Sequence, residues 1–371
     1  MESNGVKWVR LGDYIEQCDE RNTAGSNYPV IGINRDKTFM PTVANLDGVD
    51  IAKYKIVSKG MFVFSGMQTG RDICIRIGLY DKDQPALISP AYTTFFINKE
   101  NDVLPEYFFM YFNRDESDRY GWFISDSSVR ANLDWPRFLD IEIPLPSVAE
   151  QQKVVNAWRA FREIKVQNEA KAAPLMQLCQ SYIQELKHKY PMQEIGPYIH
   201  RIDERNTDNK IKEVRSVSVS KNFNATNAKV DKNNLSNYKI VRENQISFVQ
   251  TTGNEKCLCA AINHLGFPIV VTSVNEVFET DEKYLLADYL HLIFRRTETD
   301  RYARFNSWGS ARETFTWEDM TRFAIPLPSI EVQQAIVNIY KCANEARQIA
   351  EEADRLSREV CPALLQHVIH S

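Results

Sequence analysis

The sequence predicts an α/β (α+β) fold built twice. Two domain-sized modules stand in tandem, joined by two long antiparallel helices of coiled-coil type, in a pseudo-two-fold internal repeat. Three observations predict this. The phrase IPLPSVAEQQKVV from Ile143 returns as IPLPSIEVQQAIV from Ile325, 182 residues later. Ahead of each copy, short runs rich in Val, Ile, Phe and Tyr alternate with turn residues and then with helical patterns. After each copy comes a stretch of about 40 residues without glycine, with apolar residues at helical spacing.

The repeat covers more than the phrase. Residues 118–158 and 300–340 share 17 identities in 41 positions, among them Asp118-Arg119-Tyr120 with Asp300-Arg301-Tyr302, Arg130 with Arg312 and Trp135 with Trp317. Average amino-acid usage would give roughly two or three. Upstream the offset becomes 184, where GDYIEQCDERN from Gly12 meets GPYIHRIDERN from Gly196 and YKIV from Tyr54 meets YKIV from Tyr238. A period of half the chain is too long for a solenoid, whose repeats reach about 50 residues. The expected domains are 1–146, a helix over 147–190, 191–328 and a second helix over 329–371.

Composition excludes several classes. The chain has 371 residues, 43% of them hydrophobic, which suits two globular cores and not a disordered chain. No run of about 18 apolar residues suggests a membrane span, and no basic-then-apolar leader is visible, so the cytoplasm is the expected compartment. The seven cysteines are scattered, with one close pair, Cys257-Leu-Cys259, and read as reduced thiols and not as a zinc site. The net charge of −4 argues against coating nucleic acid by bulk charge but allows a local basic face. None of the six histidines has ligand spacing, and no phosphate loop is present.

Element by element, KGMFVFSG, DICIRIGLY and TTFFIN in the first module, and NQISFVQ, KCLCAAI and FPIVVTSV in the second, read as strands. LPEYFFMYFNRDESDRYGWF and LADYLHLIFRRTETDRYARF read as helical. Pro-Leu-Pro-Ser then ends strand and helix alike, with Ser147 and Ser329 as N-caps of the long helices. Pro174 and Pro362 are expected to kink or interrupt those helices, each about 60 Å if unbroken. Gln151, Gln152, Gln333 and Gln334 are expected to be exposed beside the joint, where they cap it or meet a partner.

At this point the residues carry a resemblance. The duplicated IPLP joint with its glutamines, the opening WVRLGDY from Trp8, the paired segments KGMFVFSGMQTGR and ENQISFVQTTGNEK, and SPAYTTF from Ser89 resemble the specificity (S, HsdS) subunit of Type I restriction-modification systems across the whole chain. The resemblance implies a non-catalytic subunit. Each module would be a target recognition domain reading one half of an asymmetric, bipartite duplex DNA site. The helices would set the half-site gap and dock two methyltransferase subunits, with restriction subunits completing the nuclease. Methylation would fall on adenine. S-adenosylmethionine, and ATP with Mg for restriction, would belong to those partners, leaving no cofactor in this chain. The second module departs from the pattern, since VTSVNEVF from Val271 stands where SPAY stands in the first.

Candidate DNA-binding residues follow from the two loops kept in both modules. Gln68, Thr69 and Arg71 correspond to Gln250, Thr251, Thr252 and Lys256. Amides can read adenine edges, and cations can read guanine or grip phosphate. Arg130 with Asn132, and Arg312 with Thr314, form the second pair, and the other reading of these arginines is an ion pair with Asp118 or Asp300. Asp118-Arg119-Tyr120 and its copy read as structural, and Trp135 and Trp317 as core. SPAY superficially resembles an amino-methyltransferase motif but lacks the second proline and a glycine-rich cofactor loop, so a turn into a core strand is preferred. Two other functions fit the same architecture, a stand-alone two-domain DNA-binding regulator and a coiled-coil scaffold binding proteins at its globular parts.

Overall fold

A computed structural model describes residues 6–67, 69–126, 128, 131–226, 229–251, 257–309 and 313–370, with Arg71 described by its backbone alone. The chain divides into two compact units, Met1–Gln167 with Ile349–Ser371, and Asn168–Gln348. Both are mixed sheet and helix.

In the first unit a four-stranded antiparallel sheet runs in the order Ile15–Cys18, Thr93–Ile97, Phe62–Ser65, Arg76–Leu79. Phe62 and Phe95 face each other across it and stack at 5.0 Å. Phe64, Phe108 and Phe138 close the same core, each fully or almost fully buried. Each such ring contributes roughly 1.5–3 kcal/mol by leaving water. A second sheet, Phe39–Pro41, Val30–Ile33, Ala86–Ile88, Lys55–Val57, contains one parallel pair.

The second unit repeats the first sheet as Ile199–Ile202, Asn275–Thr280, Ile246–Val249, Ala260–Ile262, with Phe248 and Phe278 in place of Phe64 and Phe95. Its second sheet is split into two antiparallel pairs, Arg215–Val217 with Phe223–Ala225 and Lys239–Val241 with Ile269–Val271, linked by a parallel bridge from Val214 to Val270.

Each run read as one helix is two. Pro105–Phe112 ends at Asn113, and Arg114 is extended before Asp115–Ile124 begins; Ala287–Phe294 and Thr297–Asn306 break in the same way, at Arg295 and Arg296. The break lets Ser117 and Thr299 donate their hydroxyls back to the carbonyls of Tyr111 and Ile293, at 2.6 Å each, so both helix ends are satisfied inside the core.

The joint corrects two expectations. Strands Glu142–Leu145 and Ala324–Pro326 run through Pro144 and Pro326, pairing with Lys7–Arg10 and Met192–Glu194 in two-stranded sheets. Proline is tolerated because it sits where no ladder N–H is needed. Its carbonyl is used instead: the buried phenols of Tyr107 and Tyr289 donate to Pro144 and Pro326 at 2.8 and 2.9 Å. Burial pushes both phenols far above their ordinary pKa.

Gln151 and Gln333 are wholly buried, not exposed. The Gln151 amide donates to the carbonyls of Asp102 (2.8 Å) and Pro146 (3.0 Å) and accepts from Leu104 N (3.0 Å). Gln333 makes the same three bonds, to Tyr284, Pro328 and Leu286. Of the two readings offered for these glutamines, these two take the cap. Gln152 and Gln334 are spent along the helix on Asn156 and Asn338, at 2.7 and 2.9 Å.

The long helices span Val148–Lys189 and Ile330–His370, and neither Pro174 nor Pro362 interrupts them. Ser147 Oγ accepts from Glu150 N at 3.3 Å, and the carbonyls of Ser147 and Ser329 accept the first helical bonds. In the first unit Val154, Val155 and Trp158 share a core with Cys361, Leu365 and Val368. In the second, Cys179, Ile183 and Leu186 share one with Ile336 and Val337. Within each unit the early part of one helix therefore meets the late part of the other, an antiparallel pairing. Lys165 and Asp354 join across it at 2.7 Å. Among the described residues, no helix is long and apolar enough to cross a membrane.

Candidate nucleic-acid interface

Each unit brings its two candidate segments together by the same backbone bond. Leu133 N donates to Gly66 O at 2.9 Å, and Phe315 N donates to Gln250 O at 2.8 Å. The loop leaving strand Phe62–Ser65 is thus laced to the segment entering the short helix Trp135–Leu139. Its counterpart after Ile246–Val249 is laced to the segment entering Trp317–Thr321. Trp135 and Trp317 pack partly buried over Phe95 and Phe278, at 5.4 and 5.7 Å between rings.

In the first unit, Gly66 is demanded by this closeness, because a Cβ there would lie 1.7 Å from the Leu133 carbonyl oxygen. Thr69 is wholly buried. Its N–H and hydroxyl both donate to Ala131 O (3.0 and 2.7 Å), and its hydroxyl meets Ser125 Oγ at 2.7 Å. Thr69 is therefore a pin between the segments and not a groove contact, which corrects the expectation for that residue. Asn132 is half-buried, its N–H held by Asp126 Oδ1 at 2.9 Å. The hydroxyl of Ser128, then the Asn132 N–H, hold the Asp126 carboxyl below its ordinary pKa.

In the second unit Thr251 is exposed, and Thr314 is half-buried, its backbone paired with Trp308 at 2.9 and 3.2 Å. Thr251 and Thr314 lie opposite each other in an antiparallel bridge. Gln250 is half-buried and its amide donates to Glu276 Oε1 at 2.5 Å. Gln68, Arg130, Thr252, Lys256 and Arg312, and the side chain of Arg71, lie outside the described residues.

Among the described residues, Asp118 and Asp300 are engaged by lysines. Lys37 Nζ reaches Asp118 at 2.8 Å and Lys221 Nζ reaches Asp300 at 2.7 Å, both lysines almost fully buried. Each lysine also donates to the carbonyl ending the preceding helix, Phe112 or Phe294. Each carboxylate accepts a backbone N–H, from Ile75 or Leu258, at 2.8 and 3.0 Å. Both lysines are left-handed, with φ of 59° and 60°. The one signal for them was recurrence: Lys37-Thr-Phe and Lys221-Asn-Phe stand 184 apart.

A second charged group also escaped sequence reading. Glu276, almost fully buried, accepts from Arg201 Nε (2.9 Å) and Nη2 (2.6 Å), from Lys239 (3.1 Å) and from Gln250. Burial would raise its carboxyl, but the bonds from Arg201 and Lys239 outweigh this and lower it. The first unit keeps a simpler version, with Lys55 on Asp19 at 3.0 Å and Arg21 on Asp19 at 2.7 Å. Phe123 and Phe305, at one offset in the two modules, stand 83% and 87% exposed at the ends of their helices.

SPAY is a turn. Tyr92 N donates to Ser89 O at 3.1 Å, and the chain enters the core strand Thr93–Ile97. Among the described residues no group of three or more His, Cys, Asp or Glu is placed to hold a metal ion. Cys257 and Cys259 are free thiols 3.8 Å apart.

A duplicated mixed module, each copy leading through a proline joint into one of two antiparallel helices, defines a narrow structural class. No protein-family model and no curated protein matches the chain. Solved structures do. The S subunit of a Type-I restriction-modification system from M. genitalium matches 100% of this chain over 98% of its own, with TM-score 0.64 and 11% identity. This chain therefore has the S-subunit fold. A chain from a structure on complex assembly and conformational transition of the type I R-M system matches at TM-score 0.44, 14% identity and coverage of 99% and 98%. The HsdS subunit from Thermoanaerobacter tengcongensis matches at TM-score 0.39, 14% identity and coverage of 99% and 97%.

Proposed function

We propose that this chain is the DNA sequence-specificity subunit of a Type I restriction-modification complex. One observation carries the reading: the whole chain, both modules and both helices, superposes on an S subunit with almost nothing left over on either side. Each module reads one half of a bipartite duplex site. The modules differ in their loops and in the charged group around Glu276, so the half-sites differ too. The long helices set the gap and dock two methyltransferase subunits, which carry S-adenosylmethionine and methylate adenine; restriction subunits add cleavage with ATP and Mg. The chain itself binds and positions and does not catalyse.

A methylation map tests this. The chain is co-expressed with the methyltransferase subunit encoded beside it, in a host lacking adenine methylation, and the genomic DNA is sequenced by a method that detects methyladenine. The expected result is one new motif of two short unlike halves around a fixed gap. A soluble complex that leaves the DNA unmodified would overturn the reading. Tight, salt-dependent DNA binding by the chain alone would then indicate a stand-alone regulator, and no DNA affinity at all a protein scaffold.

A further inference from the structure

We infer that Arg201 reads a guanine in the second half-site, and that Gln17 occupies the matching place in the first module, so this one position sets part of the difference between the halves. The inference rests on the proposed function and adds a specific residue to it.

The register of the sheets makes the positions equivalent. Arg201 pairs with Phe278 and Gln17 with Phe95, the two phenylalanines that pack beside Trp317 and Trp135. Around them part of the setting is constant, since Lys239 and Asp203 match Lys55 and Asp19. The rest changes. Glu276, opposite Phe248, matches Thr93, opposite Phe64, and Gln250 matches Gly66, not Gln68 as the sequence suggests, by its bond to Phe315 or Leu133.

The change has a chemical pattern. Arg201 is 48% exposed, yet its guanidinium is held by two bonds to a carboxylate that is only 6% exposed. Lys239 and Gln250 hold that carboxylate in turn. The guanidinium sits 6.0 Å over the Trp317 ring. An exposed arginine normally loses side-chain entropy when it binds; this one is already ordered. Glu276 takes Nε and one hydrogen of Nη2. Among the described residues Nη1 has no hydrogen-bond partner, so Nη1 and the second Nη2 hydrogen remain as an end-on fork. Such a fork matches the O6 and N7 acceptors of guanine. Gln250, bonded to the same carboxylate, opens the candidate DNA-binding loop, so the fork stands at its edge. Gln17 is exposed in the first module, and an amide suits adenine.

The test is selection from a randomised duplex library by the full chain in complex with its methyltransferase subunit. Wild type is compared with Arg201→Lys, which keeps a cation on Glu276 but removes the fork, and with Gln17→Arg. Arg201→Lys is expected to lose about tenfold to hundredfold discrimination at one guanine of the second half, leaving the first half and the gap unchanged. Gln17→Arg is expected to alter one position of the first half only. An unchanged second half with Arg201→Lys overturns the inference while the proposed function stands. So does a uniform loss across all sequences, which marks a phosphate contact. Wild type that selects no sequence overturns both. Arg201→Lys and Gln17→Arg, melted alongside wild type, separate loss of folding from loss of reading.

Discussion

At the scale of single residues, the most consequential side chains are buried polar ones that occur twice. Gln151 and Gln333 each satisfy one N–H and two carbonyls that have left water. Replacing either by leucine keeps the volume but strands three backbone groups. Each stranded group costs about 1–3 kcal/mol, so a loss of about 3 kcal/mol in urea unfolding is expected for Gln151→Leu. A change below about 0.5 kcal/mol would refute the clamp. The second module also carries His291, whose Nε2 lies 3.0 Å from the Lys221 carbonyl oxygen where the first module has Phe109. Burial, then the nearby Arg295 charge, lowers its pKa to about 4. A base with a depressed folded pKa leaves the fold most stable above its ordinary value and loses that stability as acid is added. The second unit should therefore weaken between pH 6.5 and about 4, and His291→Phe should flatten the melting curve over that window. His264 works the opposite way. Its bond to Asp288 raises its pKa, so its contribution is present at low pH and fades as pH rises. Burial would push Asp288 up, but bonds from His264 and Lys341 bring it down to about 2, so this carboxylate stays charged throughout the window.

At the scale of elements, the long helices absorb prolines that should break them. Pro174 is exposed, so the carbonyl deprived of its donor can face water, while packed residues such as Cys179 and Ile183 hold the helix beyond it. Pro174→Ala restores a donor and removes a ring clash. The expected gain is about 2 kcal/mol, seen as a melting temperature raised by several degrees. A lower melting temperature would mean that the proline's fixed φ serves the native helix path. The paired short helices make a different point. Their breaks at Arg114 and Arg296 fall where no proline or glycine stands, so periodicity alone could not place them.

At the scale of the whole molecule, what was legible was what repeats. The module count, the joint and the antiparallel helices followed from two near-copies of one text, because a period of half the chain admits few architectures. The sheet strands followed from β-rich runs such as Phe62–Ser65 and Ile246–Val249. What stayed hidden was buried polarity. Glutamine and lysine are ordinarily surface residues, so nothing local distinguished Gln151 from Gln152, or marked Lys37 as a left-handed residue reaching 81 positions along the chain to Asp118. Thr69 misled for the same reason, a polar residue in a polar loop turned wholly inward. The two candidate segments do meet in each unit. The setting of Arg201 was not legible, because it depends on a carboxylate 75 residues away.

The division of the chain also bears on its synthesis. The first unit is made of residues 1–167 and 349–371, and its core includes Cys361, Leu365 and Val368 from the last helix. The ribosome finishes that unit last. At about 5–20 residues per second, the nascent first module waits on the order of 10–40 seconds for the final segment that seals Val154, Val155 and Trp158. Throughout that interval the newborn chain carries an apolar stripe whose mate in the last helix has not yet been made.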